Sequence, residues 1–234
     1  SSIVTIIITL FGLDTMKYLY EMLGLSDNQK IAIRTIEGKE IIAEVTDKQN
    51  FSCPKAYSYK ILEDNILYFR YLMCKEERDY PFADFIAEIT KEIDNRNIKK
   101  YILDLRENIG GYSELLNPFQ DLVKCKKLKG VLIIDRKVFS AARTAVARFK
   151  KEFNVLLIGE TTGGAVKSYG SWQPLEVEGK RFSVSKKIID YTDIVEYEGG
   201  FKPDIFVPTT IEDLNNKYDR QLEIALNVVR SIVP

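Results

Sequence analysis

The chain has 234 residues, 45% of them hydrophobic and 29% charged, an ordinary globular mix long enough for one domain or a domain with a short appendage. Its 34 basic side chains balance 34 acidic ones, which argues against a nucleic-acid surface as the main business. Histidine is absent, so neither a Ser-His-Asp nor a Cys-His machine, nor a histidine metal site, can be built from these residues alone.

The chain opens on Ser1-Ser2 rather than Met, which reads as a processed product or a fragment. Ile3 to Leu13 is apolar with threonine interruptions. It is too short to span a bilayer and lacks the flanks of a signal peptide, and its Ile and Thr content predicts a strand. Leu13 to Leu23 places Met16, Leu19 and Leu23 on one helical face, with Gly24 as C-cap. Lys30 to Val45 alternates in two runs about Glu37-Gly38, a hairpin pattern. Ser52 to Pro54 reads as a linker. Tyr57 to Met73 is strand material broken by a turn at Leu62–Asn65. Tyr80-Pro81 then starts a helix with Phe82, Phe85, Ile86, Ile89 and Ile93 inward, ending at Asn95–Asn97.

Tyr101 opens an apolar strand. Leu115 to Val123 follows as a short helix, Lys124 to Lys129 as a solvated basic turn, and Val131 to Ile134 as another buried strand. Ser140 to Lys151 reads as a helix with Ala141, Ala145 and Phe149 on one face. Strands are expected from Leu175 to Ile189, with a hairpin turn at Val177–Lys180. Trp172, the single tryptophan, reads as core or rim packing. Thr209 to Arg230 closes the chain as one amphipathic helix with Leu222, Ala225, Leu226 and Val229 as its stripe. The alternation of strand and helix argues for a sheet with helices against it, an α/β fold. Cys53, Cys74 and Cys125 are widely spaced and odd in number, which reads as buried free thiols or at most one bridge.

Two stretches carry chemistry. Tyr101 to Gly111 is a strand that closes on paired glycines, where free backbone N–H groups can meet a developing negative charge. The same residues fit a plain strand and Gly-Gly turn. Asp104 and Arg106 flank the last apolar residue and can pair with each other or with neighbouring loops. Ser140 stands where the strand at Val131–Ile134 passes into the next helix. It can be an N-cap, worth about 1 kcal/mol. It can also be a nucleophile, with the helix N-terminus and the Ala141 N–H favouring an oxyanion.

Four motifs resemble the tail-specific, or C-terminal-processing, serine peptidase family. They are Asp104-Leu105-Arg106-Glu107-Asn108-Ile109-Gly110-Gly111, Phe139-Ser140-Ala141-Ala142, Val155 to Gly164, and Glu198-Gly199-Gly200-Phe201-Lys202-Pro203-Asp204-Ile205. The resemblance implies a crotonase-like α/β core over residues 51–234 and peptide-bond hydrolysis by Ser140. Residues 1–50 become a small strand-helix appendage, the end of a larger upstream region. The oxyanion donors would be the N–H of Gly110 or Gly111, plus Ala141. The general base divides the family. One branch uses a lysine after the glycine turn, where this chain has Ala165; Lys167 lies two residues on and is the alternative base. The tricorn-like branch uses a histidine on an upstream segment, helped by a glutamate, whose nearest match is Glu198, with Glu196 next. Ser140-Ala-Ala-Arg143 lacks the lysine of the S-x-x-K pattern, which excludes a β-lactamase reading. A polypeptide substrate is implied, with no cofactor, metal or nucleic acid, in an exported or membrane-anchored protein. A non-catalytic module that holds an extended peptide or small apolar ligand on the same fold is the third reading.

Overall fold

Apolar runs of four to six residues alternating with helical stripes call for a layered sheet, and the computed structural model, which describes residues 30–34, 38, 40–44, 54–194 and 199–233, has one. The chain divides into two compact units, Ser1–Pro54 and Lys55–Pro234. In the first, β1 (Lys30–Arg34) and β2 (Glu40–Glu44) form an antiparallel hairpin in register Arg34 to Glu40, with Gly38 at φ +81°. The strand expected at Ile3–Leu13, the helix at Leu13–Leu23, and Cys53 lie outside the described residues.

The second unit is built on a six-stranded sheet of order β10-β7-β6-β5-β4-β3. Its members are β3 (Tyr57–Leu62), β4 (Ile66–Tyr71), β5 (Lys100–Asp104), β6 (Lys129–Ile134), β7 (Leu156–Gly159) and β10 (Ile205–Phe206). β3 runs antiparallel to β4, and every other neighbouring pair is parallel. Parallel strands need crossovers, and the helices supply them. α1 (Phe82–Arg96) links β4 to β5, α2 (Asn117–Lys126) links β5 to β6, and α3 (Ala141–Phe153) links β6 to β7.

The period-two alternation of each strand sorts side chains to opposite faces. One face presents Leu67, Phe69, Tyr71, Tyr101, Leu103, Leu132, Ile134 and Leu157 to the stripes of α1, α2 and α3. Aromatic rings fill its centre: Phe69 lies 4.8 Å from Phe119 and 4.9 Å from Phe85, centroid to centroid. The other face presents Ile66, Ile102, Val131, Ile133 and Ile158 to Ala225 and Val229 of α5 (Arg220–Ser231). Among the described residues, no helix is long and apolar enough to cross a membrane.

Three expectations are corrected. The Lys124–Lys129 run is not a turn: Lys124 and Lys126 lie in the last turn of α2, where cations suit the carbonyl end, and Lys129 starts β6. Strand structure begins well before Leu175, as β8 (Lys167–Val177) pairs with β9 (Lys180–Asp190) in a two-stranded hairpin about Glu178-Gly179. The segment Thr209–Arg230 is two helices, α4 (Ile211–Asn215) and α5, because Asp219 accepts from the Leu222 N–H and restarts the helix. The thiols also differ: Cys74 is buried and free, whereas Cys125 is free but exposed.

Phe69 touches both helical and strand aromatics, so Phe69→Ala should lower unfolding free energy by about 3–5 kcal/mol. Leu175→Ala, on the exposed hairpin, should stay within about 0.5 kcal/mol. Urea unfolding followed by far-UV circular dichroism checks both, and equal effects would contradict the assignment of the core.

Candidate functional site

Parallel strands in register bring their carboxyl ends to one edge, the usual place for a site in an α/β sheet. Here Asp104 of β5 pairs with Ile133 of β6, and Ile134 of β6 pairs with Gly159 of β7. The loops that follow are therefore neighbours, and they hold three of the four motifs. Side chains standing in for strands fasten them together. Asp135 accepts from the N–H of Glu107 at 3.1 Å, Lys137 at 2.9 Å and Val138 at 3.2 Å. Burial pushes the Asp135 carboxyl up, against these backbone bonds. Asn108, fully buried, donates to the Tyr71 carbonyl at 2.8 Å and accepts from the Gly110 N–H at 2.9 Å. The Phe139 N–H in turn donates to the Asn108 carbonyl at 3.0 Å.

The result sets Ser140 against Gly110. A Cβ on Gly110 would lie 2.8 Å from the Ser140 Cβ and 2.9 Å from both the Ala141 nitrogen and the Phe139 carbonyl oxygen. Gly110 also has φ +106°, so glycine is needed there twice over. Ser140 is exposed and directly precedes α3. Its backbone sits at φ +48°, ψ −122°, the first central position of a type II′ turn, which glycine dominates. Its side chain makes no capping bond, so the plain N-cap role is not the one the serine plays.

The backbone donors divide. The Gly110 N–H is already bonded to Asn108, which removes it as the simplest oxyanion donor and leaves its role as one of space. Among the described residues, the N–H groups of Gly111 and Ala141 have no hydrogen-bond partner. Gly111 is held from its other side by Cys74: the Tyr112 N–H donates to the Cys74 carbonyl at 2.7 Å and the Cys74 N–H to the Gly110 carbonyl at 3.1 Å. Burial raises the Cys74 thiol, whose sulfur lies 3.6 Å from the Asn108 side-chain oxygen.

The remaining motifs close over the same edge. Gly163 donates to the Val138 carbonyl at 3.0 Å, and a Cβ on Gly163 would lie 2.7 Å from the Arg136 carbonyl oxygen. Thr162 and Phe201 exchange two bonds, at 3.0 and 2.8 Å, and the Val166 N–H donates to the Gly199 carbonyl at 2.6 Å. Lys167 is turned to other work. Its Nζ lies 3.3 Å from Asp190 across the β8–β9 hairpin, and its side chain is 63% exposed. Glu196 and Glu198 lie outside the described residues.

Asp104 and Arg106 shape the loop, as their positions suggested. Asp104 is fully buried and receives Tyr68 at 2.6 Å, Arg106 at 2.6 Å and Arg70 at 2.8 Å. Burial alone would push this carboxyl up; the bonds and charge of Arg106, with Arg70, outweigh it and hold it below the ordinary carboxylate range. Arg106 reaches on to Asp219 at 2.7 Å, which ties the loop to the start of α5. Sequence reasoning gave no role to Asn108, Asp135 or Arg143. An Asp followed by two polar residues after a strand, as at Asp135-Arg136-Lys137, is the one local signal that could have marked a side-chain turn.

No protein-family profile and no curated protein matches this sequence. Solved structures do match by shape. A protein from Parabacteroides merdae classed as a peptidase aligns with a TM-score of 0.56 at 16% identity, over 97% of this chain and 87% of that one. A protein from Bacteroides fragilis classed as an S41 protease aligns with a TM-score of 0.57 at 15% identity, over 88% and 66%. The photosystem II D1 C-terminal processing protease aligns with a TM-score of 0.51 at 13% identity, over 91% of this chain but 64% of its own length. A lipoprotein from Streptococcus agalactiae aligns with a TM-score of 0.54 at 14% identity, over 77% and 71%. The chain thus shares the mixed α/β fold of these structures, and at such identities the likeness is one of fold.

Two outcomes follow from the geometry. Ser140→Gly relieves a strained backbone, so it should raise the unfolding free energy by about 1 kcal/mol in urea; an unchanged or lower midpoint would mean the strain is not there. Asp104→Ala leaves the half-buried Arg70 and Arg106 with only Glu107 and Asp219 as partners and should cost about 1.5–3 kcal/mol at pH 7. Because the folded carboxyl lies below its unfolded value near 3.9, its stabilisation is present above that pH and lost as pH falls through the folded value. The gap between wild type and Asp104→Ala should therefore narrow below about pH 4.

Proposed function

We propose that this chain is the core of a serine-type peptidase, with a crotonase-like fold and Ser140 as the nucleophile. The carrying observation is the backbone of Ser140: an exposed serine at φ +48°, uncapped, pressed against Gly110 at the carboxyl edge of a parallel sheet. Non-glycine residues in such conformations cost about 1–3 kcal/mol and cluster where function keeps them. In this reading Ser140 Oγ attacks the scissile carbonyl, and the N–H groups of Gly111 and Ala141 receive the oxyanion. A polypeptide is the substrate, and no cofactor or metal takes part.

A serine hydroxyl needs a base to take its proton. The exposed, Asp190-paired state of Lys167 disfavours it, because a working lysine base is desolvated and within about 2.6–3.2 Å of the hydroxyl. We therefore favour the tricorn-like arrangement, with a histidine on an upstream segment and Glu198 as its helper. The extracytoplasmic location suggested by the sequence resemblance fits a lipoprotein of the same fold.

These 234 residues alone should be nearly inert on an unfolded protein substrate. Without its base the site keeps only what binding and the oxyanion donors supply, of order 10³–10⁴ over water. The full-length protein should cleave, and its Ser140→Ala variant should not, as read by gel and mass spectrometry of the products. Ser140-dependent cleavage by the short chain would overturn the upstream-base reading. No cleavage by the full-length protein would leave the non-catalytic binding module.

A further inference from the structure

One group near Ser140 has no place in that mechanism. Arg143 lies one helical turn on, its N–H bonded to the Ser140 carbonyl at 3.0 Å. An arginine in the first turn of a helix opposes the helix dipole and is expected in water. This one is only 2% exposed. Its guanidinium donates to the Ala165 carbonyl and, at 2.9 Å, to the Ser168 hydroxyl. Among the described residues, its Nε has no hydrogen-bond partner. It lies 5.0 Å from the centre of the Phe139 ring, immediately before the serine, and a Cβ on Gly164 would come within 3.1 Å of it.

Both acceptors are neutral. Among the described residues no carboxylate pairs with Arg143, and the one ionisable side chain whose charge acts on it is Tyr191, a phenol. Burying a cation without a counter-ion costs several kcal/mol. Tying the 163–168 turn to α3 needs only donors, which a neutral amide would supply without that cost. What the charge adds is a field, strong in a water-poor setting, that favours negative charge nearby.

We propose that Arg143 is the fixed counter-charge of the site, a positioning residue whose guanidinium favours the anion formed at Ser140 without touching the substrate. This rests on Ser140 being the nucleophile. It also assigns a purpose to the turn at Gly163–Ser168: it roofs the cation and holds it dry.

The test uses the full-length protein and a peptide boronic acid. Ser140 Oγ bonds to boron, its proton passes to the buffer, and trigonal boron becomes a tetrahedral anion, so affinity reads the preference of the site for negative charge. Arg143→Gln keeps a polar amide on the same helix position, two bonds shorter, and loses the charge. It should weaken boronate binding on the order of tenfold or more, with the affinity of the same peptide lacking boron unchanged. Arg143→Lys should retain boronate affinity near neutral pH and lose it, relative to wild type, as pH rises, because burial lowers the pKa of an ammonium. If Arg143→Gln does not fold, the pH dependence within Arg143→Lys decides. No loss in the glutamine variant, or a lysine variant that tracks wild type at every pH, overturns the proposal. If wild-type Ser140 forms no boron adduct, the nucleophile reading fails and takes this one with it.

Discussion

The absence of room between Gly110 and Ser140 is the constraint on which the rest of the site depends. Two chain segments from different crossovers approach until a single methyl would not fit. Such an approach requires the strands beneath to be parallel and in register, since only then do the ends of β5 and β6 finish side by side. It also requires the backbone polar groups of both loops to be satisfied without a ladder. Asn108, buried, and Asp135, half-buried, do this with side chains, and these bonds are what make the loops rigid rather than merely short. The strain at Ser140 is then offset by surroundings that leave the serine no other conformation.

A second layer fixes the first. Asp104 gathers Tyr68, Arg70 and Arg106 at the end of β5, and Arg106 reaches across to the cap of α5. A lone buried carboxylate would be unstable, but two guanidinium groups and a phenol satisfy its oxygens. The loop bearing the glycines is thus anchored to one face of the sheet through Asp104 and to the other through Tyr71 and Cys74. Rigidity on both sides is what the proposed oxyanion role of the Gly111 N–H would require.

Much of the fold was legible in the sequence. α1, β5 and β6 were marked by clean periodicity and by Pro81 and Asn97 at the helix ends, signals that are local and that tertiary context had no reason to override. β8 was not, because Gly170 and Pro174 interrupt it and its outer half has no buried face to impose alternation. The break between α4 and α5 was hidden by an apolar stripe that continues across it, and only the capping bond of Asp219 reveals it. The position of Ser140 was visible; its dihedral angles were not, because they are imposed by contacts from Asn108 and Gly110, thirty residues away in the chain. The same holds for the Gly110 N–H, which the paired glycines offered as a donor and which Asn108 occupies. Arg143 entered the sequence reading only as the residue that breaks an S-x-x-K pattern, and nothing in its neighbours foretold a roof made by the turn after β7.

The two faces of the sheet are covered unequally: α1, α2 and α3 each arrive between the strands they cover, whereas Ile66, Ile102, Val131, Ile133 and Ile158 are covered chiefly by α5. Synthesis is vectorial, so every strand of the sheet leaves the ribosome before that helix exists. During that interval the nascent chain can assemble one side of its core while the other stays bare. An unshielded parallel sheet is the kind of surface that chaperones bind and that crowded neighbours stick to. The arrival of α5 would convert a sticky intermediate into a finished one, and in the same act dock Asp219 against Arg106, so that the loop bearing Gly110 is tightened only after the hydrophobic face is sealed.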